Sequence, residues 1–385
     1  MKKLPVIKIK MDTINISRSM LEWAAVHAGT RLEELAERVA GQRSLERFLN
    51  GDLTPRQAEK LAHEANIPFG FLFLDEPPEI ETSIPDLRQA PYPTPLTDDF
   101  RDTYDDIQNK IQWYQDYKTE HGIPPCDFVN SFDINQTSTS IVASAIKTAL
   151  GVTNADRSIC KTYSEYFSYL SEKAESIGIL VFKNGVVRLN NRRQLSVSEF
   201  RGFAIADKLV PAVFINGQDA ESAWIFTLIH ELAHIWIGAS GVSDTSVNSE
   251  HSINSNIEKF CNQTAADFLT PRQEFIQEWD TRGGEPINEL ARFFKVSRLV
   301  IARRALDFNL ITKKTYQEIA AISMQKKKSS GGNFFAMLPV KNSKKLTSAI
   351  VSSAMTGRTM LREAGSLLNI KPDSVVALSK RLDQK

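Results

Sequence analysis

The sequence predicts an α+β protein that is predominantly helical, and three observations lead to this fold class. Apolar residues recur at helical spacing through most of the chain. Short runs rich in β-branched residues are confined to the middle, between residues 179 and 215. The most apolar segment, residues 224–237, follows these runs and has the length of a buried helix. A small sheet packed against helices is therefore expected.

The composition is that of a globular chain in a reducing compartment. Of the 385 residues, 42% are apolar and 24% are charged, and no apolar run reaches the roughly 18 residues that a membrane span needs. The three cysteines, Cys126, Cys160 and Cys261, are scattered, which argues against a disulfide framework. The basic N-terminus lacks a sustained apolar segment, so export is not expected. The sequence predicts a cytoplasmic protein with no membrane partner.

Charge is distributed unevenly, although the formal net charge is only +1. Residues 281–385 contain 20 Lys and Arg against 7 Asp and Glu, whereas the first 280 residues contain 27 against 39. A basic end on an acidic body indicates that this end contacts something anionic. Nucleic acid, an acidic partner and the acidic body itself all fit this pattern.

Residues 1–75 are predicted to form a helical module. The apolar helix faces lie around residues 32–39, 45–49 and 58–65. With turns between them, one of which falls at Gly41, their order resembles an Xre-type helix-turn-helix domain. This resemblance implies a second helix that can enter the major groove of DNA. The corresponding stretch carries Arg43 and Arg47 among several acidic residues, whereas a DNA-reading face is expected to be basic. DNA binding and protein docking both remain open.

Residues 76–155 are predicted to connect this module to the next domain. The connector begins with an extended Pro-rich stretch over residues 76–95. Two amphipathic helices follow, over residues 96–120 and 138–150.

The next domain, residues 156–310, is predicted to combine a small sheet with a buried helix. A helix over residues 163–177 precedes the sheet. The predicted strands lie at residues 179–182, 186–189 and 212–215. The buried helix then carries the most informative motif of the chain, because residues 230–234 read His-Glu-Leu-Ala-His.

The spacing of His230 and His234 places both imidazoles on one face of this helix. A helix advances about 100° per residue, so positions four apart lie within roughly 40° of each other. Two neutral imidazoles there can hold a zinc ion, and Glu231 can accept a proton from the water that attacks a peptide bond. This is the HExxH arrangement of zinc metallopeptidases. Strands before such a helix are typical of zincins. With only six histidines in the chain, the pattern is far more specific than a lone buried histidine.

A catalytic zinc site needs a third protein ligand and one open position. The residues after the motif offer four candidates: Asp244, Glu250, His251 and Glu258. The first three lie in a small, polar stretch that is predicted to be a loop. Glu258 instead shares one face of a predicted helix with Asn262. A loop loses more entropy than a helix when it coordinates a metal, so Glu258 is favoured over His251. Asn262 could then hydrogen-bond the free nitrogen of a ligating histidine.

Five segments of the chain carry a family resemblance. They read Phe-Arg-Gly-Phe at 200–203, Ala-Val-Phe-Ile-Asn at 212–216, Phe-Thr-Leu-Ile-His-Glu-Leu-Ala-His at 226–234, Glu-Lys-Phe-Cys-Asn at 258–262 and Leu-Thr-Pro at 269–271. Together they resemble the ImmA/IrrE family of metallo-endopeptidases. The family places a Glu, and an Asn four residues later, on the helix after the motif. The resemblance therefore implies Zn²⁺ held by His230, His234 and Glu258, with Asn262 behind them, in a zincin-like core.

The resemblance covers most of the chain, since longer family members also begin with an Xre-like module. Cys261 and Thr264 stand where the family usually has Ala and Phe, and these departures leave the implied ligands untouched. The resemblance implies an endopeptidase that cleaves an Xre-type repressor, an antitoxin or another partner protein, in a mobile-element, stress or toxin–antitoxin context. The alternative is a DNA- or partner-binding regulator, or a toxin component, whose peptidase site is dormant or inhibited.

Two further parts of the active site can be proposed from the sequence. His251 and Arg201 are candidates for stabilising the oxyanion of the reaction. Val213, Phe214 and Ile215 are predicted to form an edge strand that pairs with the substrate backbone.

The C-terminal third contains two more helix-turn-helix patterns. The first lies at residues 287–306, a segment that the resembled family packs within its peptidase domain. The side chains of its second helix that could contact phosphates are Arg298, Arg303 and Arg304. A small basic domain is predicted over residues 311–385, and the other pattern, at residues 356–369, lies inside it.

Overall fold

The computed structural model describes residues 13–28, 30–65, 67–77, 96–243, 255–284, 286–322 and 334–382. The chain divides into two compact units, Met1–Ser83 and Ile84–Lys385. Both are predominantly helical, and the larger one contains a four-stranded sheet, in agreement with the predicted α+β class. Among the described helices, none has the length and apolarity needed to cross a membrane.

The smaller unit is a set of four helices with two very short strands. Its elements are β1 (Ile14–Asn15), α1 (Arg18–His27), α2 (Leu32–Ala40), α3 (Leu45–Leu49), β2 (Asp52–Leu53) and α4 (Pro55–Ala65). The two strands pair antiparallel. Leu35, Phe48 and Leu61, one from each predicted helix face, are fully buried in a common core. Gly41 has a φ of 70° at the predicted turn after α2, a conformation that glycine adopts without steric cost. Of the Pro-rich stretch that follows this unit, residues 78–95 lie outside the described residues.

The larger unit begins with four helices that precede its sheet. They are α5 (Asp98–Glu120), α6 (Thr139–Leu150), α7 (Asp156–Ile159) and α8 (Tyr163–Ser176). Three of them match predicted helices within a few residues. Gly151 ends α6 in the left-handed conformation, as the amphipathic pattern followed by glycine indicates.

The sheet of the larger unit has the strand order β3-β5-β4-β6. Its strands are β3 (Leu180–Asn184), β4 (Gly202–Ile205), β5 (Ala212–Asn216) and β6 (Gly241–Ser243). β5 runs parallel to β3 and antiparallel to β4, and β4 also pairs antiparallel with β6. The prediction that Val213–Ile215 forms an edge strand is therefore wrong, because β5 is hydrogen-bonded on both sides.

The strand predicted at residues 186–189 is also wrong. Only an isolated bridge between Val186 and Gln194 forms there, and Arg188 has a φ of 52°, which is incompatible with an extended strand. The apolar residues Val186 and Val187 are nevertheless buried. Burial of a short loop, rather than strand pairing, explains the apolar run.

The remaining helices come after β5 in the chain. They are α9 (Glu221–Trp236), which lies between β5 and β6 in the chain, then α10 (Ser255–Leu269), α11 (Arg272–Arg282), α12 (Ile287–Phe294), α13 (Arg298–Asp307), α14 (Lys313–Ile322), α15 (Phe334–Lys341), α16 (Lys344–Met355), α17 (Leu361–Leu368) and α18 (Pro372–Leu382).

The two faces of the sheet are covered by different parts of the chain. One face, with Val181, Ala204 and Val213, packs in a core with α6, α8, α9, α10 and the helices up to α14. The opposite face, with Phe182, Phe203 and Phe214, packs against α5 and α15–α18. The described residues from α5 onward, which belong to the predicted connector (76–155) and to the two predicted domains (156–310 and 311–385), thus contribute to shared cores in one compact unit, Ile84–Lys385.

Candidate metal centre

Helix α9 forms because its sequence is apolar on nearly every face. From Trp224 to Trp236 every residue except Phe226 is buried, as expected for a helix enclosed between a sheet and other helices. The turn before α9 is held by polar contacts: the Asn216 amide donates to the Phe200 carbonyl at 3.0 Å, and Asp219 accepts from the Ala220 amide at 2.8 Å. The motif residues are therefore fixed on a rigid, dry element.

Helix α10 packs against α9 and brings Glu258 to the two histidines. The Nε2 atoms of His230 and His234 are 3.1 Å apart. Glu258 Oε2 lies 3.2 Å from His230 Nε2, and Glu258 Oε1 lies 3.0 Å from His234 Nε2. All three side chains have 0% exposure. A different Glu258 oxygen contacts each histidine, and one ligand atom from each of the three residues lies within 4.8 Å of the others, so the cluster is compact enough to hold one metal ion.

The protonation states of these groups suit metal binding. Burial lowers the pKa of His230, with Glu258 opposing the shift, so its imidazole is neutral near pH 7 and Nε2 can present a lone pair. Burial alone would raise the pKa of Glu258, but the two histidines outweigh it and hold that pKa at about 2. A carboxylate and two imidazoles that converge within about 3 Å form a cluster of ligand atoms whose natural partner is a shared cation.

Asn262 lies one helical turn after Glu258 and contacts His230. The contact falls outside ordinary hydrogen-bond geometry, since Asn262 Oδ1 and His230 Nδ1 have no partner at normal distance and angle among the described residues. The two atoms are nevertheless matched as acceptor and donor when His230 presents Nε2 to the cluster. Asn262 is thus placed where the sequence predicts a residue that supports a ligating histidine.

Glu231 follows His230 and is fully buried. Its carboxylate faces the start of β4, where an added Cβ on Gly202 would lie 2.8 Å from Glu231 Oε1. The central strands of the sheet thus form the floor beneath the motif helix. In the sequence, Gly202 is notable only as part of the segment at residues 200–203 that carries the family resemblance. No periodicity in the sequence could have placed it under Glu231.

The other predicted site residues have separate outcomes. The guanidinium of Arg201 pairs with Asp219 at 2.5 Å, at the turn before α9. This ion pair gives Arg201 a structural role there, and its proposed action on an oxyanion stays a prediction. His251 lies outside the described residues, as do the alternative ligands Asp244 and Glu250.

The second helix-turn-helix pattern forms α12 and α13, joined by a left-handed Lys295. Arg304 on α13 is only 2% exposed and is paired with Asp267, so the prediction that it could contact phosphates is wrong. Arg303 is bonded to Asp307. The segment packs in the same core as the metal-ligand helices.

The end of α9 is closed by a loop that sequence reasoning did not single out. The Asn130 amide donates to the Ile235 carbonyl at 3.1 Å, and the amides of Ser131 and Phe132 donate to the Trp236 carbonyl. These donors satisfy carbonyls that a helix end otherwise leaves without partners. The loop lies about 100 residues earlier in the sequence and has no motif of its own.

Comparisons with known proteins agree with this geometry. Residues 342–381 match a domain family of unknown function (DUF8813). No curated protein and no solved structure matched the chain. Residues 174–306 match the IrrE N-terminal-like domain of the Peptidase_M78 family, and the cluster of His230, His234 and Glu258 lies wholly within that match. This region of the chain therefore resembles the ImmA/IrrE type of peptidase, and its match supports a metallopeptidase-type function.

Proposed function

We propose that the protein is a zinc-dependent endopeptidase. The observation that carries this proposal is the buried cluster of His230, His234 and Glu258. The two Nε2 atoms are 3.1 Å apart, and they lie 3.2 and 3.0 Å from different oxygens of the Glu258 carboxylate. Two nitrogens and one carboxylate oxygen are the donor set of catalytic zinc sites, which keep a fourth position open. A zinc ion bound there would act as a Lewis acid that polarises a peptide carbonyl and makes a water more acidic.

In this proposal, a residue of the protein transfers the proton of the attacking water. Glu231, beside His230 on the same helix, accepts the proton of the attacking water and delivers it to the leaving amine. Glu231 itself is fully buried, and low polarity around it strengthens the electrostatic interactions of the reaction. We infer that Asn262 Oδ1 closes to hydrogen-bond distance of His230 Nδ1 when the metal is bound, which would fix the tautomer that presents Nε2 to the metal.

We infer the substrate class from the ImmA/IrrE resemblance: an Xre-type repressor, or an antitoxin of that kind. The N-terminal unit supports a docking role, because helices α2 and α3 follow each other across a tight turn, as in an Xre-like module. A helix-turn-helix module that docks on a related repressor would bring the peptidase close to its substrate. Of the three arginines predicted to contact phosphates, Arg304 is buried in an ion pair, whereas Arg298 and Arg303 are exposed, so DNA binding by the larger unit stays a prediction.

Zinc analysis with two variants tests the proposal. The purified protein is expected to hold about one zinc per chain, and His230→Ala should remove it. Glu231→Gln keeps the size of the side chain and removes the base, so zinc should stay while proteolysis falls by roughly 100-fold or more. If a cellular effect such as derepression or toxicity survives Glu231→Gln undiminished, that effect comes from binding, and the regulator alternative replaces the peptidase for it.

A further inference from the structure

Gly202 has no room for a side chain, and one of its neighbours is Glu231. A Cβ at residue 202 would lie 2.8 Å from Glu231 Oε1, from the Phe214 carbonyl oxygen and from Thr227 Cγ2. Real Cβ atoms almost never approach other heavy atoms closer than 3.0 Å. Any other residue at this position therefore displaces at least one of these groups.

The strand that carries Gly202 cannot move away to relieve these contacts. Gly202 is in register with Ile215 of β5 on one side and with Ser243 of β6 on the other. Thr227 and Glu231 are four residues apart on α9, and both are buried. Of the three groups, the Glu231 carboxylate is the terminal group of a flexible side chain and yields most easily, while the Phe214 carbonyl and Thr227 must also shift.

We propose that Gly202 is a positioning residue for Glu231. The Glu231 carboxylate lies against the bare backbone of β4, in a position that a methyl group at residue 202 would not allow. The inference rests on the proposed function, because it assigns Glu231 the role of general base. It adds that the position of the base is set by the strand beneath it as well as by the helix that carries it.

Gly217 provides a matched steric control. A Cβ there would lie 2.9 Å from the Gly185 backbone nitrogen and 3.1 Å from the Asn184 carbonyl carbon. Gly217→Ala thus introduces a comparable clash at the end of the same sheet, with no contact to Glu231 among the neighbours of the added Cβ. A purely structural role for Gly202 predicts that the two alanine variants behave alike.

The first measurement is turnover at full metal occupancy. An internally quenched peptide, selected from a randomised library for cleavage by the wild-type protein, serves as the probe. Gly202→Ala should retain about one zinc per chain and an unchanged KM while kcat falls roughly 10- to 100-fold, since a misplacement of about 1 Å can cost this much. Gly217→Ala should keep kcat. An unchanged kcat in Gly202→Ala would overturn the inference and leave the proposed function intact.

The second measurement is independent of activity. Urea unfolding of Gly202→Ala is compared in the wild-type background and in Glu231→Ala, where the carboxylate is absent. The loss in urea midpoint caused by Gly202→Ala should be smaller in the Glu231→Ala background, and the loss caused by Gly217→Ala should be equal in both. Should Gly202→Ala fold only together with Glu231→Ala, the contact is supported. If neither Gly202→Ala nor the double variant folds, or if Gly202→Ala lowers the urea midpoint equally in both backgrounds, the clash with the Phe214 carbonyl explains the effect and the inference fails.

The two measurements also separate this inference from the proposed function. A wild-type protein that cleaves no peptide, or a Glu231→Gln variant that cleaves as fast as the wild type, removes the peptidase proposal. The unfolding comparison still decides whether Gly202 sets the position of Glu231.

Discussion

Glu258 and Glu175 are both buried carboxylates on helices, yet their surroundings shift the two pKa values in opposite directions. Burial raises the pKa of Glu258, but the adjacent His230 and His234 outweigh burial and bring it to about 2. Burial raises the pKa of Glu175, and its hydrogen bonds from Ser343 and from backbone amides only partly oppose the shift. Two converging histidines therefore stabilise a buried charge more than several neutral donors do.

The comparison separates a candidate metal ligand from a structural anchor. Glu175, at the end of α8, accepts hydrogen bonds from Ser343 Oγ at 2.5 Å and from the Lys344 amide at 2.9 Å, at the start of α16. It thus joins the region that matches the peptidase family to the region that matches the domain of unknown function. Glu258 contacts the Nε2 atoms of His230 and His234, whereas Glu175 accepts hydrogen bonds from Ser343 and Lys344. Four predictions test this division.

The largest effect is expected at the metal centre. Glu258→Ala removes one of the three candidate metal ligands, so the zinc content should fall from about one per chain to near zero in metal analysis. Glu175→Ala is the matched control, because it also removes a buried carboxylate and should leave zinc bound. His251→Ala should keep zinc and at most slow turnover. The opposite ranking, with an empty site in His251→Ala and a full one in Glu258→Ala, would move the third ligand to the residues after β6.

A smaller loss, this time of stability, is expected at the anchor. Glu175→Ala leaves the Ser343 hydroxyl and the Lys344 amide without their acceptor, which costs about 1–3 kcal/mol for each buried group left unsatisfied. Urea unfolding measures the change. Glu172→Ala is the control on the same helix, because its ion pair with Lys344 is exposed and surface pairs contribute little. Equal stability of the two variants would contradict the role of Glu175 as an anchor.

Asn262→Ala should weaken zinc binding without emptying the site. A residue that orients a ligating histidine typically contributes 10- to 100-fold to metal affinity, and competition with a chelator measures this. Gln263→Ala is the neighbouring control, since Gln263 bonds Asp267 and not the histidines. An affinity unchanged in Asn262→Ala would show that the contact with His230 has no part in metal binding.

The smallest expected effect is a pH dependence at Glu175. The pKa of Glu175 in the folded protein is raised above 4.5, its value in the unfolded chain. At a pH between 4.5 and the raised pKa, Glu175 therefore holds its proton in the folded state and loses it in the unfolded state. The contribution of Glu175 to the free energy of unfolding should therefore fall as the pH rises from about 4.5 through the raised pKa. Glu175→Gln does not titrate, so the stability of the wild type relative to this variant should decrease as the pH rises above about 4.5. A constant difference would contradict the raised pKa.

Local sequence patterns predicted the helices and the motif well. The four-residue spacing of His230 and His234 determines their common face, and the helix that carries Glu258 and Asn262 begins close to where the apolar pattern indicates. Their meeting with the histidines is brought about by the packing of α10 on α9, which the family resemblance implied. The assignment of these residues as zinc ligands stays a prediction.

Strand order was not predictable in the same way. The run from Val213 to Ile215 has the composition of any buried strand, and nothing local shows that β4 and β6 pair beyond it. Its neighbours are set by contacts distant in sequence, so the edge position was predicted wrongly. β6 (Gly241–Ser243) is only three residues long. It was missed because it lies in the small, polar stretch after the motif, residues 238–252, which was predicted to be a loop. Gly202 was missed for a related reason: its significance depends on a helix that begins 19 residues later.

The uneven charge distribution has a partial explanation within the chain. Among the described residues, Arg282, Arg304 and Lys344 of the basic end pair with Glu278, Asp267 and Glu172 of the acidic body. Of the three anionic partners that fit the sequence, the body itself is thus observed for these residues.

The sheet that supports the motif helix is covered on its second face by helices from both sides of the peptidase match. Phe203 and Phe214 pack against Phe100 of α5, which precedes that match, and against the core that contains Leu346 and Ile350 of α16, which follows it. During synthesis the chain leaves the ribosome from its N-terminus. This face of the sheet is therefore covered only in part, by α5, until residues 338–378 have emerged and α15–α18 can pack on it.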